Sequence, residues 1–360
     1  MKLVICGDLS VTDHSWKYFD QMDADGAFGD VQNVFKSADR VIVNLECAVT
    51  DSDQGITKIG PCLKGPVNTV KTLKKAGVTD CTLSNNHIFD FGKKGLADTV
   101  ARLEESGIGY TGIGENYEDS RKNMILQGEG FEVAVVNVCE HEYSYATENR
   151  TGARPFDEFE TMEDIRRAKE QCKYVVVVYH GGKEICRYPS PRLQKACREM
   201  VRCGADVVLC QHSHIIGCFE AFEGGHILYG QGNFHFVGRV PDESWNEGLV
   251  AELDVSGDGI AVRYIPVVGE NGGIRLKNPG EAAETLAQLA ARNEELADGR
   301  WKQRWNEFCR SAETLYERVR VGDFPNPERA KQMFAHYLDC EAHRDVWMEL
   351  YPTWNKTNEL

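Results

Sequence analysis

Six short apolar runs in this chain end the same way, and that repetition limits what it can fold into. Leu3–Cys6 runs into Gly7-Asp8, and Val41–Val43 into Asn44-Leu45-Glu46. Thr79–Leu83 is followed by Ser84-Asn85-Asn86-His87, and Tyr174–Tyr179 by His180-Gly181-Gly182. Asp206–Cys210 leads to Gln211-His212-Ser213-His214, and His226–Tyr229 to Gly230-Gln231-Gly232-Asn233. Each reads as a buried strand with a polar tip at its carboxyl end. Further strands are expected at Phe131–Val138, Leu249–Val255 and Ala261–Val267, with helices near 30–37, 66–76, 94–106, 161–171 and 191–203. This alternation specifies an α/β architecture. In open α/β sheets ligands gather beyond the carboxyl ends of the strands, so the six tips are expected to converge on one cleft.

Taken singly, the tips say little. Gly7-Asp8 alone is an ordinary turn, and His212-x-His214 alone could be surface histidines. Together they supply Asp, Glu, Asn and His without a thiolate. That set suits borderline divalent ions such as Mn, Zn or Fe, one or two of them. Mg or Ca would prefer oxygen throughout.

Residues 1–270 form the expected α/β domain. From about residue 281 to 360 the chain turns rich in Ala, Leu, Glu and Arg, and Glu281–Asn355 reads as three or four helices broken near Gly322–Pro327. The stretch 270–280, with three glycines and a proline, reads as a linker. These helices are expected to cover the cleft or to form a homo-oligomer contact through their aromatics.

The net charge of −15, from 41 basic and 56 acidic residues, argues against a nucleic-acid binder. It leaves room for an anionic substrate, because a bound cation reverses the local field. The 13 cysteines are scattered, contain no C-x-x-C and are odd in number. Free buried thiols in a reducing cytoplasm are the expectation. No apolar stretch approaches the roughly 18 residues of a membrane span, and neither a signal peptide nor a membrane anchor is expected.

The stretches "ICGDLS", "VNLECAVTD", "SNNHIFDFGKKGLADTVARLEESGI", "YHGGKE", "YPSPRLQKACREMVRCGADVVLCQHSH" and "LYGQGNFHF" together resemble the calcineurin-like metallophosphoesterases. Within that superfamily they resemble the CapA-like branch linked to poly-γ-glutamate capsule synthesis, over about residues 1 to 268. The resemblance implies two mixed β-sheets packed face to face and flanked by helices. It also implies roles. Asp8 would bind a first metal, and Glu46 would bridge to a second. Asn86, His180 and His212 would bind the second metal, and His214 would return to the first. His87 would serve the leaving group as proton donor, with Asp90 orienting it. The superfamily's first motif is Asp-x-His. Here it is Asp8-Leu9-Ser10, so one imidazole of the first metal site is replaced by serine; Asp13 and His14 are candidate substitutes, though both read better as exposed loop residues.

Glu184, Asn233 and His141 are candidates for substrate binding. Asn233 reads equally well as a turn asparagine satisfying loop backbone. The trio Cys340, Glu341 and His343 reads as packing on a helix rather than as a second metal site. The expected activity is metal-dependent hydrolysis of a phosphoester on a small molecule or polymer precursor. The alternatives are a non-hydrolytic accessory role in capsule synthesis and metal-dependent amide hydrolysis or transfer.

Overall fold

In the computed structural model, which describes residues 1–352, the strands begin and end close to where the apolar runs do. One sheet has eight strands. Lys2–Leu9 lies at its centre, parallel to Arg40–Leu45, which is followed outward by Asp80–Thr82 and Gly109–Thr111. On the other side it pairs antiparallel with Glu247–Val255, which leads to Ile260–Glu270 and Gly273–Leu276. The second sheet has six strands, with Glu132–Cys139, Tyr174–His180, Val207–Gln211 and Gly225–Leu228 parallel at its heart.

The sheets face one another, and side-chain alternation along the strands builds three layers of core. Leu3 and Ile5 point inward with Val133, Val135, Val176, Val178, Leu209 and Leu253. Val4 and Cys6, one residue out of step, pack outward with Phe19, Phe28, Phe35 and Leu73. The second sheet turns Val136, Val177 and Cys210 outward against the helices Glu160–Gln171 and Pro191–Arg202. A period of two with both faces apolar is what a sheet covered on both sides requires.

The tail consists of the helices Pro279–Ala297, Trp301–Val321, Pro327–Asp339 and Glu341–Leu350. Residues 353–355 of the expected helical stretch lie outside the described residues. These helices are not free of the body. Trp301, Trp305, Cys309, Tyr316 and Val346 belong to the same apolar cluster as the outer face of the second sheet. Trp301 and Trp305 are 2% and 1% exposed, so they are not available to a second chain. The stretch 270–280 is no linker: Gly273–Leu276 is an edge strand, and Asn278 caps the next helix in a capping box with Glu281. Glycine and proline there mark a hairpin and a helix start.

All 13 cysteines are free, and all but Cys62 are buried, as expected of scattered thiols in apolar runs. Among the described residues no helix is long and apolar enough to cross a membrane.

Candidate metal centre

The parallel strands of both sheets end at one place. Asp8, Glu46 and Asn86 come from the first sheet; His180, His212 and His214 come from the second. Each is at most 4% exposed. Ligand atoms of Glu46, His180 and His212 lie within 4.8 Å of one another, as do those of Asp8, Glu46 and His214. A third such group joins Glu184 to His212 and His214. These groups bring together five of the six expected ligands, and Asn86 joins them with its Oδ1 3.0 Å from His180 Nε2.

Local sequence sets these positions. The ladder slips at Gly7, between Cys6 and Asp8, which re-aims Asp8. A Cβ at Gly7 would collide with the Gly232 carbonyl. Asp8 accepts from Asn44 Nδ2 at 2.7 Å and from the His212 amide at 2.9 Å. His212 and His214 both adopt left-handed backbone, at φ of 76° and 59°. Bulky residues occupy that region at a cost of order 1–3 kcal/mol, which is borne mainly at functional sites. Asn85 ties the loop below: its Oδ1 accepts from the His87 and Ile88 amides, and its Nδ2 donates to Asn44 Oδ1 at 3.0 Å.

Charge explains what the cluster lacks. Burial would push the His180 imidazole down, but the nearby Glu46 and Asp8 carboxylates outweigh it and carry it up to about 10. His214 is likewise carried against burial to about 9 by Glu46 and Asp8. His212, further from them, is pushed down to about 4 by burial, which the neighbouring imidazoles reinforce. For Asp8, hydrogen bonds from His180 and His214 overcome burial and hold the carboxyl well below its usual range. The carboxylates demand positive charge, which protons supply in the chain alone and a divalent cation would supply in their place.

The orphaned atoms test the fit. Both Glu46 carboxylate oxygens, His212 Nδ1 and Ser10 Oγ are buried and make no hydrogen bond. A buried carboxylate answered only by imidazoles 3.4 and 4.0 Å away, with no hydrogen bond to either oxygen, is costly in an apolar site. A cation answers that cost, so the donor set fits one. His180 Nε2 lies 3.4 Å and His214 Nε2 4.0 Å from Glu46 Oε1, which puts Glu46 at the middle.

Beside the cluster, His87 Nδ1 is 2.6 Å from Asp90 Oδ2. Asp90 is also held by Lys58 Nζ at 2.5 Å and by the Leu63 amide at 2.7 Å. Asp90 thus contacts the ring it is expected to orient.

The three substrate candidates fare differently. Glu184 stands at the rim, its side chain 47% exposed and 3.9 Å from His214. Asn233 instead holds a ligand: its Oδ1 faces His214 Nδ1 at 3.0 Å, and its Nδ2 donates to the carbonyls of His214 and Trp245. It starts a strand, Asn233–His235, parallel to Lys2–Leu9, with Asn233 opposite Asp8. His141 turns away from the cluster. Its Nδ1 lies 2.7 Å from Glu341 Oε1, and its amide donates to Glu341 Oε2 at 2.8 Å. The next residue, Glu142, faces the ligands: Oε2 accepts from Asn86 at 3.0 Å and lies 3.5 Å from His212 Nε2. Burial would raise the Glu142 carboxyl, yet His212 and His336 hold it low. Lys58 and Glu142 are therefore additions to the expected site. Glu142 lies in the same "CEHEYS" tip as His141, and only the strand's register separates the two.

The model of the bacterial capsule synthesis protein PGA_cap family matches residues 2–237. The chain belongs to that family. Members similar to it include the capsule biosynthesis protein CapA of Bacillus anthracis, 31% identical over 275 residues, covering 73% of this chain and 66% of that protein. The PGA biosynthesis protein CapA of Bacillus subtilis is 29% identical over 245 residues, covering 66% of this chain and 63% of its own length. The chain thus spans less than two thirds of either PGA_cap relative. Among solved structures it is similar to a phosphatase from Mycoplasma pneumoniae, with a TM-score of 0.47 and 14% identity over 78% of this chain and 95% of that one. A likeness of that size says nothing of activity.

Proposed function

We propose that this PGA_cap family member is a metal-dependent hydrolase of a phosphoester, with an anionic substrate drawn from capsule, cell-wall or other polymer metabolism. The observation that carries the reading is Glu46, buried among three imidazoles with neither carboxylate oxygen hydrogen-bonded. Asp8, Glu46, Asn86, His180, His212 and His214 would hold one or two ions of Mn, Zn or Fe type. Such ions stabilise charge on phosphoryl oxygens and activate water.

The chain's own groups do the rest. Asp90 Oδ2 at 2.6 Å and Lys58 Nζ at 3.1 Å both meet His87 Nδ1 and hold the ring with its Nε2 free of them. Nε2 is then the atom that exchanges a proton with the leaving oxygen. Lys58 and the Leu63 amide satisfy Asp90 and keep the pair in place. Asn233 and Asn44 fix the His214 and Asp8 side chains so that the ligands need not reorganise on binding. The free thiols suit a reducing compartment, so we place the reaction in the cytoplasm.

One observation favours a second reading. Ser10, two residues past Asp8, stands where the resemblance expects an imidazole, and it is fully buried. A weakened first site would leave a non-hydrolytic accessory protein of capsule synthesis, a role in keeping with the names of its relatives. Metal content of protein purified without chelators, measured beside phosphomonoester and phosphodiester turnover with added Mn, separates the two. Metal-dependent turnover with one or two ions per chain establishes the hydrolase. Neither metal nor turnover in excess Mn leaves the accessory role.

A further inference from the structure

Next to the His87–Asp90 pair lies a cavity of about 760 Å³ that shares Lys58 with it. Lys58, whose amine touches Asp90 and His87, lies in its floor. Tyr143, Tyr145 and Arg150 form one wall, and His336 and Leu338 of the tail helix Pro327–Asp339 form the other. Part of this cavity lies beyond residues 2–237, so the helical tail completes a pocket that the family-wide part leaves open.

The wall is built rather than incidental. Tyr143 holds a left-handed backbone at φ 58°, a conformation a bulky residue rarely adopts. Its hydroxyl accepts from the Ile59 amide at 3.0 Å, which ties it to the loop carrying Lys58. Its ring stacks on His336 with centroids 4.7 Å apart. His336 Nε2 is 3.3 Å from Glu142 Oε1, whose other oxygen reaches Asn86. The tail helix is thereby joined through Glu142 to the ligand cluster.

Arg150 is the cation with no counter-charge in this wall. It donates to the Tyr143 carbonyl, and its guanidinium lies over the rings of Phe89 at 5.0 Å and Tyr145 at 5.7 Å. Among the described residues it forms no ion pair within 4.0 Å. The pocket's carboxylate, Asp339, is held by the Tyr145 hydroxyl at 2.8 Å and does not pair with it. A rigid guanidinium stacked on aromatic faces, with hydrogen-bond donors unused, is a receptor for a planar or tetrahedral oxyanion.

We propose that this cavity receives the leaving group of the substrate, that Arg150 binds a second oxyanion on it, and that the tail helix forms its outer wall. The proposal rests on the hydrolase reading for the word "leaving group". The substrate is accordingly an ester with two anionic ends: one at the metal cluster, and a carboxylate or phosphate at Arg150, joined by a group flat or apolar enough to lie along Tyr143, Tyr145 and Leu338.

The test uses three aryl phosphates on the full chain: 4-carboxyphenyl phosphate, its uncharged 4-carbamoyl analogue, and hydroquinone bisphosphate. Binding is measured by calorimetry on chelator-treated protein, and turnover with Mn added. The carboxylate or the bisphosphate should bind at least about tenfold more tightly than the amide, the discrimination of one charged hydrogen bond. Whichever wins identifies the oxyanion. Arg150→Ala should bring that ratio to about one, and Arg150→Lys should leave an intermediate ratio. Equal binding of all three by the wild-type protein overturns the proposal, as does a preference that survives Arg150→Ala. Should Arg150→Ala fail to fold, the wild-type ratio and Arg150→Lys still decide. Turnover without a preference leaves the hydrolase reading standing and removes this pocket. A preference without turnover does the reverse.

Discussion

Replacing Glu341 by Gln tests how the tail is fastened. Glu341 is 4% exposed and accepts from both His141 Nδ1 and the His141 amide, across 200 residues of sequence. A hydrogen bond to a charged partner is worth about 1.5–3 kcal/mol. The His141 side chain is 29% exposed, so solvent screening reduces this to about 1–2 kcal/mol. Glutamine keeps one acceptor for the amide but turns its NH2 toward the imidazole. A protonated imidazole has no lone pair to receive it, whereas a neutral one can change tautomer and accept. The cost is therefore pH-dependent. Burial would push His141 down, but Glu341 outweighs it and raises it. A raised histidine contributes stability that is fully present below its unfolded value near 6.5 and is lost as pH rises through the folded value. Glu341 itself is held low by His141 against burial, so its share is present above the ordinary carboxylate range and fails only in acid. Thermal melts at pH 6 and pH 9.5 should show Glu341→Gln losing about 2–3 °C at the lower pH and much less at the higher. The same loss at both would refute the ion pair as the fastening.

Three further outcomes are expected. His87→Ala should lower kcat by about 10²–10⁴-fold with metal content unchanged by mass spectrometry; equal loss of both would make His87 a ligand rather than a proton carrier. Glu46→Gln, isosteric but uncharged, should cost metal content outright, and retention of the full complement would remove Glu46 from the centre of the site. Metal binding to chelator-treated protein at pH 7 should release about two protons per chain, one each from His180 and His214, because ligands bind deprotonated. The release should fade as pH rises through about 9 to 10; calorimetry in buffers of different ionisation enthalpy reads the count, and a pH-independent value would contradict the charge pattern.

Much of this was legible in residue order because strands impose it. Val4 and Cys6 against Leu3 and Ile5 already display the two faces, and a polar residue after an apolar run has nowhere to go but the sheet's end. All six proposed ligands obey that rule. What sequence could not supply was contact at long range and exact register. His141 was the candidate in its tip, yet the neighbouring Glu142 is the residue that faces the cluster, a choice only the strand's end decides. Lys58 sits in a loop with no periodicity to mark it, and it matters only because Asp90 folds back onto it. Asn233 reads equally as a substrate contact and as a turn residue; its strand pairs with Lys2–Leu9, more than two hundred residues away, and it holds His214. Gly273–Leu276 was hidden because glycine and proline signal hairpins and linkers alike.

The proposed ligand set draws half its members from each sheet: Asp8, Glu46 and Asn86 on one side, His180, His212 and His214 on the other. An ion held by both would rivet the sandwich at one edge, as a crosslink does. Anything that binds only the folded form adds RT ln(1 + [L]/Kd) to its stability, about 4 kcal/mol at a thousandfold excess over Kd. In a cell the abundance of this protein would then follow the supply of its ion, and metal starvation would show first as a protein prone to proteolysis rather than as one merely idle.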